Sequence, residues 1–136
     1  MKIVEGDLLA LALEGEFDVI VHGCNCFHTM GAGIAKPISK MFPEALEADK
    51  ATPHGDRDKV GTVSTALIVR GAAEFTVVNA YTQFDYRGRG PNIDYEGVTR
   101  CFDEIARQFP DKRIAYPMIG AGLAGGNWDL IATRIS

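Results

Sequence analysis

Two short runs of continuous apolar residues constrain this chain most: "FDVIVHG" at residues 17–23 and "RIAYPMI" at residues 113–119. A strand with no polar alternation is a strand covered on both faces, and helices packed on either side of a sheet provide that cover. Each run leads into a glycine-rich loop, "CNCFHTMGAG" after the first and "GAGLAGG" after the second. A buried strand, a glycine turn and a following helix make the repeating unit of an α/β fold. In such folds ligands sit in the loops beyond the carboxyl ends of the strands.

The rest of the chain fits that unit. "KIVEGD" reads as a strand ending at Gly6, and "LLALALEG" as one or two helical turns closed by Gly15. A helix is predicted from about Gly33 to Lys50, because Ile34, Ile38, Met41, Phe42, Ala45 and Leu46 recur at 3.6 spacing. Pro37 falls in its first turn, where a missing N–H costs little. "TVSTALIV" and "FTVVNAYT" read as adjacent strands, and "QFDYRGRGPNID" as a loop. Val98, Cys101, Phe102, Ile105 and Phe109 mark a helix over 95–109 that Pro110 stops. A last helix is predicted to begin near Trp128. The expected fold class is α/β, with a central mixed sheet and helices on both faces, built as one domain over residues 1–136.

Composition narrows the function. The chain has 136 residues, 46% of them hydrophobic, and a net charge of −4, so it carries no basic footprint for nucleic acid. No apolar run approaches the length of a membrane span, and a cytoplasmic, monomeric protein is expected. Cys24, Cys26 and Cys101 form no CxxC pair and read as reduced thiols. His22, His28 and His54 have no partner at metal-ligand spacing, so no metal and no cofactor is expected.

Glycines let several backbone N–H groups converge on an anion, so both loops suit a phosphate. No G-x-x-x-x-G-K-[ST] motif is present, which argues against an NTPase. Gly120, Gly122 and Gly125 do spell G-x-G-x-x-G. The acidic residue that a dinucleotide fold needs about 20 positions later would fall beyond Ser136.

Four stretches in order, "EGDLL", "VHGCN", "MGAGIAKPISKMFP" and "YPMIGAGLAGGNW", resemble the macro domain family of ADP-ribose-binding modules. The "HGCNC" and "GAGLAGGNW" forms are most similar to the branch that holds the yeast ADP-ribose 1″-phosphate phosphatase and related bacterial and phage proteins. The resemblance implies a three-layer α/β/α macro domain and a set of site residues. Asp7, with Leu8 beside it, would meet adenine, and Asp7 also suits an N-cap. Asn25 would reach the distal ribose, or simply hold a turn. Gly31, Ala32, Gly33 and Ile34 would form the first diphosphate loop. Gly120, Ala121, Gly122, Leu123, Ala124 and Gly125 would form the second.

This chain also departs from the family. His22 stands where many members carry asparagine, and Met30 where many carry histidine. Ala124 replaces the aspartate of the lysine–aspartate hydrolases, and no lysine lies near Thr82 and Gln83. The usual final strand, and the aromatic after it, are expected to be missing.

The reaction most implied is hydrolysis of ADP-ribose 1″-phosphate to ADP-ribose and phosphate. His22, His28 and Asn25 are the candidate catalytic residues, since histidine exchanges protons near neutrality. Release of ADP-ribose from esters or modified macromolecules is one alternative, and a non-catalytic ADP-ribose reader is another. A thiol enzyme using Cys24 or Cys26 is a weaker one. Tyr81, Phe84 and Trp128 suit packing more than ligand stacking, and the "RGRG" at 87–90 suits a solvated loop.

Overall fold

The computed structural model describes residues 2–31, 33–85, 93–117 and 128–135. Its elements in chain order are β1 (Lys2–Gly6), α1 (Leu8–Leu13), β2 (Val19–Cys24), α2 (Ala35–Met41), α3 (Pro43–Lys50), β3 (Val63–Arg70), β4 (Ala73–Tyr81), α4 (Tyr95–Gln108), β5 (Lys112–Pro117) and β6 (Trp128–Ile135). The strands form one sheet in the order β1-β6-β5-β2-β4-β3. β2 runs parallel to both β4 and β5, and every other pairing is antiparallel. The sheet is mixed, as the sequence predicts.

β2 lies near the middle because its residues are apolar on both sides. Ile20 faces a core with Leu8, Ala12, Ile38 and Ala45 of the first three helices. Val19 and Val21 face a second core with Cys101 and Ile105 of α4. Helices therefore cover both faces. Each fully buried Ile contributes about 1.5–3 kcal/mol relative to exposure.

Two predicted elements come out differently. The single helix over 33–50 is two helices that meet at Phe42, where φ is −129° and ψ is 74°. Pro43 is the cause: its ring excludes the residue before it from the helical region, and its nitrogen has no hydrogen to donate. Phe42 N–H still donates to Ile38 O, and the Phe42 ring packs on Phe75. The helix expected at Trp128 is β6, whose backbone pairs Trp128 with Gly6 and Leu130 with Pro117. "WDLIATRI" has the β-branched content of a strand, and the glycines before it do not force a helix.

Candidate functional site

Beyond the carboxyl ends of β2 and β4 lies a cleft of about 370 Å³, lined by Gly23, Cys24, Asn25, Thr29, Gly31, Ala35 and Gln83. Two of the predicted site residues, Asn25 and Gly31, meet there. The loop that carries Asn25 is tied down by backbone bonds. Cys26 N–H donates to Phe84 O at 2.9 Å, and Gly55 N–H donates to Cys26 O at 2.6 Å.

Asn25 is fixed by its own loop. Its Nδ2 donates to Thr29 Oγ1 at 2.6 Å and to Thr29 O at 3.2 Å, while Oδ1 accepts from Phe27 N–H at 2.8 Å. It is therefore a turn residue and a cleft residue at once. Gly33 has φ +59°, a conformation L side chains rarely adopt, and a Cβ at Gly31 would meet nothing within 4 Å. α2 then starts with no side-chain cap, whereas Asp7 caps α1 and Asp94 caps α4. Uncapped first-turn amides beside glycines are free to meet an acceptor. Ile34 packs against the core.

Asp7 Oδ1 accepts from Leu9 and Ala10 N–H, at 3.0 and 3.2 Å. Leu8 is fully buried in the core. Asp7 lies between β1 and α1 and Leu8 opens α1, and neither is among the residues that line the cleft. Gly120, Ala121, Gly122, Leu123, Ala124, Gly125 and Ala32 lie outside the described residues, as does the "RGRG" at 87–90. β5, after which the second glycine run follows, lies directly beside β2.

Neither candidate histidine is among the described residues that line the cleft. His22 is 1% exposed, and its Nε2 lies 2.6 Å from Asn79 Oδ1. Asn79 Nδ2 donates to Ala45 O and Ser64 Oγ, so its oxygen must face His22, and Nε2 must carry the hydrogen. Burial holds the His22 imidazole below the usual histidine pKa, against the raising effects of Asn79 and Asp49. His28 has φ +58°, and its Nε2 donates to Thr52 O at 2.7 Å, joining the first glycine loop to the segment after α3. Burial pushes the Cys24 thiol well up and Cys26 up as well. Thiols so held are poor nucleophiles at neutral pH.

Beneath the cleft runs a directed chain of hydrogen bonds. Tyr81 O–H donates to Asp49 Oδ1 at 2.7 Å, so at 2.9 Å Ser64 O–H must donate to Tyr81. Ser64 in turn accepts from Asn79, and Asn79 accepts from His22. Lys59 Nζ stands 3.9 Å from Asp49, over the Tyr81 ring, and donates to Pro53 O. Of this set the sequence reading singled out only His22 and Tyr81. Asn79, a polar residue in the apolar run "FTVVNAYT", was the one available signal. Asp49 and Lys59 sit in segments that read as exposed. Gln83 and Thr29 carried no signal either. Tyr81 and Phe84 pack, as expected: Phe84 lies against Phe27, with the Arg57 guanidinium 4.0 Å above its ring.

Comparison with known proteins agrees with this architecture. The Macro domain family model matches residues 21–135. A 17.5 kDa protein from the tk–vs intergenic region of Enterobacteria phage T4 is 42% identical over 137 residues, covering 96% of this chain and 84% of that protein. An ADP-ribose 1″-phosphate phosphatase of Candida albicans is 23% identical over 146 residues, covering 95% of this chain and 87% of that one. Among solved structures, the macrodomain of Thermus aquaticus DarG superposes with a TM-score of 0.63 at 25% identity, covering 84% of this chain and 76% of that one.

Proposed function

This chain belongs to the macro domain family, whose members bind ADP-ribose, and from that premise we propose that its cleft binds ADP-ribose and hydrolyses ADP-ribose 1″-phosphate to ADP-ribose and phosphate. The observation that carries the reading is the cleft itself: Asn25 held in place by Thr29, bare glycine backbone at Gly31, and the uncapped start of α2, all facing one space. Those groups suit a phosphate-bearing ribose. Backbone amides bind phosphate oxygens, and the second lone pair of Asn25 Oδ1 can accept from a ribose hydroxyl. The Candida relative's name supports the choice of reaction.

Chemically, water adds to phosphorus, the bond from phosphorus to the ribosyl oxygen breaks, and that oxygen leaves with a proton. Such a step depends largely on positioning and charge stabilisation. In this reading Asn25 and Gln83, which line the cleft, hold the ribose and the water. Asn25 acts in this way; it is not a base. His22 acts indirectly, by fixing β2 against β4 through Asn79.

Incubation with ADP-ribose 1″-phosphate is expected to release phosphate and ADP-ribose in equal amounts. Phosphate no higher than the buffer blank overturns the reaction. One observation favours a second reading, binding without chemistry: among the described residues lining the cleft, the single titratable side chain is Cys24, held as a thiol. Calorimetric binding of ADP-ribose with no phosphate release supports that reading over the first.

A further inference from the structure

On the α4 side of the sheet lies a second cavity of about 280 Å³, which shares Gly23 and Gln83 with the cleft. Its wall draws on both layers. Val21 and Ala80 come from the sheet, Tyr116 from β5, and Val98 and Phe102 from α4, with Ile93 just before that helix. Polar side chains, Thr82 and Gln83, stand at the end nearest the cleft. His22 borders the same stretch of β2, but its ring is turned to Asn79 on the opposite face.

Gly23 lines both spaces. Strand alternation places it on the same face as Val21, and a Cβ there would come within 2.7 Å of Thr82 Oγ1. Any other residue at 23 would crowd the Thr82 side chain at the border of the two spaces. A half-open hollow of this size, apolar along its walls and polar at the end nearest the cleft, has the make-up of a ligand subsite.

We propose that this cavity is a second subsite, which takes an uncharged apolar group, of the size of an aryl ring, carried on the distal ribose of the ligand in the cleft. The inference rests on the ADP-ribose reading of the cleft and adds a second class of ligand beside the 1″-phosphate. The group must be uncharged. No cationic side chain lines the cavity among the described residues, and a buried charge without a partner is strongly disfavoured. Thr82 O–H and the Gln83 carboxamide, at the mouth, stand where the linking oxygen would pass.

The test compares three stable ligands by calorimetry: ADP-ribose, its 1″-O-methyl riboside and its 1″-O-benzyl riboside. The wild-type protein is expected to bind the benzyl compound about tenfold more tightly than the methyl compound, because the ring leaves water for the apolar wall. Val98→Phe, which fills the cavity from α4, is expected to erase that preference with ADP-ribose affinity unchanged. Val98→Leu serves as the milder variant, with a smaller loss of preference. Equal affinity for the benzyl and methyl compounds in the wild type overturns the subsite while leaving ADP-ribose binding intact. So does a preference that survives both variants. Failure of ADP-ribose itself to bind is a separate result, which overturns the reading of the cleft and the subsite with it.

Discussion

The two faces of the sheet are held by different physics. Toward α3, Asp49, Tyr81, Ser64, Asn79 and His22 form a chain in which every donor and acceptor has one permitted direction. Toward α4, Val19, Val21, Val78, Ala80, Cys101 and Ile105 make an apolar core with no such chain. A directed polar chain allows one arrangement of β2, β4 and α3, since a slip leaves buried groups unpaired. An apolar face tolerates displacement and can leave room. The first face holds the cleft floor still, and the second carries the cavity.

The largest test of this contrast is Asp49→Leu. Lys59 would keep its buried ammonium without a carboxylate, and Tyr81 O–H would lose its acceptor. A loss of about 3–5 kcal/mol in urea unfolding is expected, as for a broken buried pair. Burial already pulls the Lys59 pKa down, and Asp49 is the main group pulling it back up. A change under 1 kcal/mol would remove the polar face's claim to rigidity.

On the other face, Ile105→Ala is expected to cost about 3 kcal/mol through the cavity it leaves. That loss should be the same at pH 5 and pH 8, because no titratable group depends on the side chain. A pH-dependent loss would mean that the two faces are coupled.

A substitution in the cleft should separate binding from stability. Gly31→Leu places a side chain in open space, so the fold should be retained. ADP-ribose affinity should fall about tenfold or more, equal to about 1.4 kcal/mol, because the cleft is occupied. Unchanged affinity would move the ligand elsewhere.

The smallest effect is a slope. Burial lowers the folded-state pKa of His22 below 6.5, its ordinary value in the unfolded chain. Between those two values the unfolded chain binds more protons, so stability is full above pH 6.5 and is lost as pH falls toward the folded-state value. His22→Asn should remove that part of the slope between pH 7 and pH 5 in urea midpoints. An unaltered slope would place the titrating group outside the polar chain.

Much of the fold is legible in the sequence, for identifiable reasons. β2 and β5 declare themselves by unbroken apolar runs, and α4 by a clean 3.6-residue stripe. The glycines before α2 mark the cleft. Pro43 was equally visible, and its effect on Phe42 follows from the covalent ring, yet the apolar stripe across it masked the break. Trp128 went the other way: glycines before it suggested a turn into a helix, and pairing with β1 and β5 made it a strand.

The sequence by itself determined which segments are buried on both sides, where the chain turns, and that backbone amides would gather after β2. Those properties depend on neighbours a few residues apart. Tertiary structure alone decided that Asp49 and Lys59 are buried together, that His22 faces Asn79 across 57 positions rather than the cleft, and that Gly23 lines two spaces. Those depend on register between distant strands and on which helix covers which face. No local spacing encodes such a meeting, because the same residues are equally compatible with solvent until the sheet closes over them.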